Sequence, residues 1–192
     1  MLHGVFAQLV FSVKGADHNY MDRTRDQLQA LCVGWDVALV QRIVTEQLPT
    51  LVYPLIFTEA ITLITDHKAQ GHDIVIVSSS GLEVVAPIAD YLGADHVIAT
   101  EMVVKDGKYT GEIERYAYGA GKVEAITALA SEHGYDLDES FGFSDSITDL
   151  PLLEAVGHPT AVNPDRRLRQ HALAAGWPII TFKTRPNNSS AA

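Results

Sequence analysis

Two carboxylates stand where a short apolar run gives way to a helical pattern. Asp145 follows the run 140–144, and Asp149 comes four residues later, about one helical turn on. In open α/β sheets ligands sit beyond the carboxyl ends of the strands, so chemistry is expected there. Carboxylate oxygens suit Mg²⁺, which binds one or two carboxylates and fills its other positions with water and phosphate oxygens. A helix cap is the alternative for Asp145, but it leaves Asp149 less well explained.

Two further groups could bind an anion. The stretch Ser-Ser-Ser-Gly at 78–81 follows the apolar run 74–77 and leads into a helical pattern. Its hydroxyls and free backbone N–H groups could hold an anion, although an ordinary turn and helix cap has the same residues. Lys122 stands at the start of a later helix, where the macrodipole disfavours a cation unless an anion or a carboxylate lies nearby. A solvated lysine is the alternative, and only the combination of these groups favours a phosphate site.

Composition excludes several classes of protein. The 192 residues include 14 Lys and Arg against 24 Asp and Glu, a net charge of −10, and this acidic balance argues against nucleic-acid binding. A single cysteine, Cys32, excludes an internal disulfide framework and a zinc site with several thiolates. No apolar window reaches the length of a membrane helix, so we expect a cytoplasmic protein that does not interact with membranes.

The spacing of apolar residues divides the chain near residue 57. Residues 1–57 follow helical spacing, whereas 58–184 alternate between helices and strands, which is typical of a parallel sheet covered by crossover helices. Residues 185–192 are predicted to form a flexible tail. In the first part we expect an apolar helix at 4–13, a helix at 17–31, and a helix at 37–48 capped by Asp36.

The second part predicts an α/β fold. Asp106 and Gly107 separate two alternating runs at 102–113, which predicts a β-hairpin. The predicted helices are 58–70 with Thr58 as its cap, 82–92, 122–133, 148–156 and 165–175, and the predicted strands are 74–77, 96–99, 140–144, 160–162 and 178–182.

Several stretches resemble the haloacid dehalogenase-like phosphatases. A serine after an apolar strand, a lysine that opens a later helix, and a strand that ends in Asp-x-x-x-Asp match the family's second, third and fourth motifs in that order. The resemblance covers 54–182 and is strongest to the phosphoserine-phosphatase-like branch, subfamily IB. The stretches that carry it are 75–80, 91–100, 106–111 and 144–159, continued by 161–165 and 176–178.

The resemblance implies a role for each candidate residue. Ser78, with Ser79 beside it, would bind the transferring phosphoryl group, and Lys122 would neutralise its charge. Asp145 would ligate Mg²⁺, and Asp149 would orient Lys122 and contribute to the metal site. The implied protein is a Mg²⁺-dependent phosphatase that acts on a small phosphorylated metabolite through an aspartyl-phosphate, with a Rossmann-like sheet and a helical cap formed by 1–57.

One family motif has no counterpart in this sequence. The family carries its nucleophile in an Asp-x-Asp at the end of a central strand, and that strand lies between the strands that here end near Ser78 and Ser144. The only Asp-x-Asp of this chain, Asp136 to Asp138, follows a polar stretch in a predicted helix-to-strand loop. We therefore predict that the chain as numbered begins inside the cap, lacks the central strand and its nucleophile, and is inactive.

Two other functions remain open. A phosphatase-like remnant could bind phosphorylated ligands without turnover. A sugar-phosphate-binding or isomerase domain would use a similar serine-rich loop, but it would leave Lys122, Asp145 and Asp149 unexplained.

Overall fold

The computed structural model describes residues 32–186, so the helices predicted at 4–13 and 17–31 lie outside the described residues. Strands and helices alternate as the sequence predicts, and the α/β fold class is confirmed. Two short 3-10 turns lie at Tyr53–Leu55 and Ile147–Asp149. In chain order the other elements are α1 (Val37–Leu51), α2 (Thr58–Ala69), β1 (Val75–Gly81), α3 (Leu82–Leu92), β2 (His96–Lys105), β3 (Lys108–Arg115), α4 (Ala120–His133), β4 (Phe141–Ser144), α5 (Leu150–Glu154), β5 (His158–Val162), α6 (Arg166–Ala175) and β6 (Ile179–Ile180).

The strands of the described residues form two three-stranded sheets. One sheet has the order β1-β2-β3, and the other has the order β4-β5-β6. Pairing is parallel except between β2 and β3. Asp106 and Gly107 connect these two strands with φ values of 50° and 72°, the left-handed backbone of a tight hairpin turn. The predicted hairpin is therefore confirmed.

The serine-rich stretch is the largest departure from the predicted elements. It does not form a turn after the strand, because β1 continues to Gly81, with a shift in register between Val77 and Gly81. Strand β2 is also longer than predicted, and it places Thr100 beside Gly81. The Thr100 hydroxyl donates to the Ser79 carbonyl at 2.8 Å, so a neighbouring strand overrides the weak strand preference of serine and glycine.

Two helix starts also differ from the predictions. Thr58 is the first residue of α2 rather than its cap, and its N–H donates to the Thr184 carbonyl at 2.9 Å. The helix predicted at 148–156 divides into the 3-10 turn and α5, because Pro151 has no N–H with which to continue the hydrogen-bond ladder. The predicted cap of α1 is confirmed, since the Asp36 carboxylate accepts the Leu39 N–H at 2.8 Å.

Two apolar clusters form the core. The first contains Ile98, Ala117 and Ile126, and the second contains Leu153, Ala161, Leu168 and Ala172. Leu152 of α5 packs against both clusters and so connects the two sheets.

Strands β1 and β4 are each an outer strand of their sheet, and within residues 32–186 they do not pair with each other. The family resemblance places a further strand between them, and that strand stays a prediction.

No single helix of the described part of the chain is long and apolar enough to span a membrane. Taken together, Val37–Leu55 and Thr58–Ala69 meet the length and composition of a span, but they bend by 97° where they join.

Candidate active site

A buried ion pair joins two of the predicted site residues. Lys122 lies in the first turn of α4 and is only 5% exposed, and its Nζ donates to Oδ1 of Asp149 at 2.6 Å. A buried lysine needs such a partner, because desolvation of an unpaired ammonium is costly. The predicted link between Lys122 and Asp149 is present in the structure.

Glycine allows α4 to begin where it places Lys122. A Cβ on Gly121 would overlap the backbone carbonyl of Tyr116, so any larger residue would push the first turn of α4 away. The side chain of Lys122, the next residue, would move with that turn.

Ser144 completes the surroundings of the Asp149 carboxylate. The Ser144 hydroxyl, at the carboxyl end of β4, donates to Oδ2 of Asp149 at 2.8 Å. The same hydroxyl accepts the Ser146 N–H at 3.2 Å. Both oxygens of Asp149 are therefore occupied, and its carboxylate connects β4 to α4. In the sequence Ser144 is recognised only as the end of a predicted strand, so its contact with Asp149 could not be predicted.

Asp145 stands beside this pair and forms no ion pair within the described residues. Partial enclosure of its carboxyl raises the pKa of Asp145 above its ordinary value, and repulsion from Asp149 and Asp165 raises the pKa further, while Lys122 opposes the shift. A bound cation would relieve this repulsion. The alternative of a helix cap is not supported, because Ser146 caps the 3-10 turn by accepting the Thr148 N–H.

The two predicted phosphate-binding serines lie on β1. The Ser78 hydroxyl accepts the Ser80 N–H at 3.2 Å, and the Ser79 carbonyl accepts the Thr100 hydroxyl. Within residues 32–186 neither serine forms a hydrogen bond with Lys122 or with the acidic residues. The structure thus brings Lys122, Asp145 and Asp149 together, and among the described residues it does not join Ser78 or Ser79 to them by a hydrogen bond.

Another carboxylate lies close to the end of β1. Glu83, in the first turn of α3, accepts the Tyr109 hydroxyl at 2.7 Å, and its second oxygen would lie 3.1 Å from a Cβ on Gly81. Tyr109 is only 2% exposed, and burial together with the Glu83 carboxylate raises the pKa of this tyrosine. Sequence reasoning missed this pair, since an acid in the first turn of a helix is common.

The residues present fit a hard divalent cation. No group of three or more histidine, cysteine, aspartate or glutamate side chains in the described ranges is arranged to hold a metal. Mg²⁺ needs only one or two carboxylates when water and phosphate oxygens complete its coordination. Among the residues that the structure describes, Asp145 offers a carboxylate that forms no ion pair, and Asp149 lies near enough to raise the pKa of Asp145.

The only Asp-x-Asp of the chain lies elsewhere. Asp136 and Asp138 stand in the loop between α4 and β4, where the Asp138 N–H donates to Asp136 Oδ1 at 2.9 Å. This is a local turn at the end of the molecule opposite the carboxyl end of β4, as the sequence predicts for a helix-to-strand loop.

Comparison with known proteins identifies the family. The model of the haloacid dehalogenase-like hydrolases matches residues 9–154. A protein named as a probable phosphatase of Mycobacterium tuberculosis is 54% identical over 182 residues, which are 95% of this chain and 63% of that protein. A phosphoserine phosphatase of the same organism is 30% identical over 181 residues, covering 93% of this chain and 59% of the relative. The chain belongs to the haloacid dehalogenase-like hydrolase family.

A solved structure shares the fold of this chain. A protein of unknown function from Bordetella pertussis superposes with a TM-score of 0.78 and 29% identity, over 93% of this chain and 81% of that one. The family resemblance predicted from the sequence motifs is confirmed. This chain spans less than two thirds of the length of the two curated relatives.

Proposed function

We propose that this protein is a Mg²⁺-dependent phosphatase that hydrolyses the phosphate ester of a small metabolite, in the manner of the phosphoserine phosphatases. The observation that carries the proposal is the buried Lys122–Asp149 pair beside Asp145, whose carboxylate forms no ion pair within the described residues. An ammonium and a metal site next to each other suit a phosphoryl group, because phosphoryl transfer is catalysed mainly by positioning and by neutralisation of charge.

Each residue has a distinct part in this proposal. Asp145 would hold the Mg²⁺ with Asp149 beside it, and the metal would supply charge neutralisation at the phosphoryl oxygens. Lys122 would donate to the phosphoryl group while Asp149 keeps its ammonium in place. Ser78 and Ser79 would donate hydrogen bonds to the same group from the end of β1.

The nucleophile stays a prediction. The family resemblance requires an aspartate at the end of a central strand, and the Asp136–Asp138 turn does not provide it. We propose that turnover depends on this additional strand and that the chain as numbered is inactive. The placement of Asp136 and Asp138 also favours a second candidate function, binding of phosphorylated ligands without hydrolysis.

A phosphatase assay distinguishes the two functions. It compares the chain as numbered with any longer product of the same reading frame that contains an Asp-x-Asp strand, using phosphoserine and other small phosphate esters. The phosphatase proposal expects Mg²⁺-dependent phosphate release from the longer product, abolished by Asp145→Asn and unchanged by Asp138→Asn. Equal activity with and without Mg²⁺, or equal activity of the Asp145→Asn variant, would contradict it.

The second candidate is tested on the chain as numbered. If it binds phosphorylated ligands, inorganic phosphate with Mg²⁺ raises its melting temperature, because a ligand that binds only the folded state stabilises that state. An unchanged melting temperature would exclude this function.

A further inference from the structure

Asp165 connects the start of α6 to the loop that carries Asp145. Its Oδ1 accepts the Leu168 N–H at 2.8 Å, which caps α6. Its Oδ2 accepts the Ile147 N–H at 2.8 Å, and its own N–H donates to the Asp145 carbonyl at 2.7 Å. Asp165 thus holds the loop after β4 at two points, the Asp145 carbonyl and the Ile147 N–H.

A helix cap alone does not require this arrangement. Asp36 caps α1 with one carboxylate oxygen, which accepts the Leu39 N–H at the same distance of 2.8 Å. The second oxygen and the N–H of Asp165 are directed instead to the loop after β4. Because β4 and β5 pair in parallel with Ser144 beside Ala161, the loops that follow the two strands emerge side by side.

The charge of Asp165 acts on the same site. Together with Asp149 it repels the Asp145 carboxylate. Within the described residues, the Lys122 ammonium is the cation that offsets this repulsion. Asp145, Asp149 and Asp165 carry three negative charges against the one positive charge of Lys122, an excess that a divalent cation would balance.

We propose that Asp165 is a positioning residue that holds Asp145 in the orientation needed to bind a divalent cation. This inference rests on the proposed function, since it concerns the same metal site. Groups that orient metal ligands are worth about 10- to 100-fold in metal affinity, so the effect is large enough to measure.

The test measures Mg²⁺ binding by isothermal titration calorimetry on the full chain. The variants are Asp165→Asn and Asp165→Ser, because Asn, Ser and Asp are comparable helix caps and both variants can still cap α6. Asn and Ser each have only one side-chain oxygen, so neither variant can cap α6 and also accept the Ile147 N–H. Asp36→Asn and Asp36→Ser are the matched controls, since they make the same changes at a helix cap that, within the described residues, forms no hydrogen bond with the loop after β4.

We expect both Asp165 variants to raise the dissociation constant for Mg²⁺ by about 10- to 100-fold, and both Asp36 variants to leave it unchanged. The Ile147 amide should also exchange with solvent faster in the Asp165 variants than in the wild type. The two readouts together separate loss of the loop contact from loss of a helix cap.

Three results would overturn the inference. If the wild type binds Mg²⁺ and the Asp165 variants bind it within about twofold, Asp165 is only a helix cap and the proposed function stands. If both Asp165 variants fail to fold while the Asp36 variants fold, the role of Asp165 is structural. If the wild type itself does not bind Mg²⁺, the metal site of the proposed function fails and the inference fails with it.

Discussion

Lysine is seldom enclosed in a protein interior unless it is paired, and Lys122 is both enclosed and paired. Its partner Asp149 accepts a second hydrogen bond from Ser144, so each oxygen of this carboxylate has a donor. Such a network is costly to break, because the remaining charge would stay buried without a partner. The pair therefore fixes the position of an ammonium at the carboxyl end of β4.

Replacement of this lysine should destabilise the fold. We expect Lys122→Met to lower the free energy of unfolding by about 3 kcal/mol, because it leaves the Asp149 carboxylate in a largely buried place with only Ser144 as its donor. Urea denaturation measures the change. The combined variant with Asp149→Leu should regain most of the loss, since it removes the second charge as well.

A surface pair supplies the control. Lys68 and Asp95 are separated by 3.0 Å, but their side chains are 40% and 33% exposed. Lys68→Met should cost less than about 1 kcal/mol, as is usual for an exposed ion pair. If Lys68→Met and Lys122→Met lowered the free energy of unfolding equally, the buried pair would be no more stabilising than the exposed one, which would contradict this prediction.

The sequence predicts part of this site for a physical reason. A lysine in the first turn of a helix is unfavourable by itself, so its presence there points to a negative partner, and Asp149 is that partner. The contributions of Ser144 and Asp165 depend on which loops lie side by side in space. No spacing in the sequence encodes that neighbourhood.

At the scale of elements, one glutamate attaches the segment after β6 to α2 and so acts as a clamp. Glu59 accepts the backbone N–H groups of Lys183 and Thr184, each at 2.9 Å from Oε1. These hydrogen bonds lower the pKa of Glu59 from 4.5 to about 2, and the hydrogen bond from the Lys183 N–H makes the largest contribution. The segment after β6 is thereby attached to the first turn of α2.

This clamp should depend on pH in a defined direction. Since the pKa of Glu59 is lower in the folded state, its stabilisation is complete above the ordinary pKa of 4.5 and is lost as the pH falls through about 2. Glu59→Gln should therefore lower the melting temperature at pH 7, and the difference from wild type should shrink as the pH falls from 4.5 towards 2. Thermal denaturation at several pH values measures it.

Glu46→Gln on the exposed face of α1 removes the same charge without a comparable hydrogen bond and serves as the control. A difference between wild type and Glu59→Gln that grows on acidification would contradict the clamp.

Element order follows from the sequence because apolar runs and helical spacing are local signals. The helix at Leu82–Leu92 agrees with its prediction at both ends, since Gly93 adopts a left-handed backbone at its carboxyl end. Strand β1 was predicted too short, because Ser78 to Gly81 have weak strand preference and are held by the neighbouring Thr100. That neighbour is set by the register of β2, which a local pattern does not contain.

At the scale of the whole molecule, Leu152 joins the two halves of the core. It packs against the cluster around Ile126 and against the cluster around Leu168. The two three-stranded sheets have no strand pairing with each other in the described residues, so side-chain contacts connect them, among them the packing of Leu152 and the Lys122–Asp149 ion pair.

Double-mutant cycles test this connection. Leu152→Ala should be non-additive with Ile126→Val and also with Leu168→Ala, by at least about 0.5 kcal/mol in each case, because residues packed in one cluster share the loss of packing. Ile126→Val and Leu168→Ala lie in separate clusters and should add within about 0.5 kcal/mol. Free energies from urea denaturation provide the data. Full additivity of Leu152→Ala with either partner would show that the two halves are not joined through this residue.

In the proposed active site, Ser78, Lys122, Asp145 and Asp149 surround one phosphate next to a divalent cation. A crystal structure of the protein with Mn²⁺ and phosphate, with the metal located by its anomalous scattering, tests it most directly. We expect Mn²⁺ bound to Asp145, and a phosphate that contacts the Lys122 ammonium and the Ser78 hydroxyl. Metal bound away from Asp145, or a phosphate that contacts neither Lys122 nor Ser78, would contradict it.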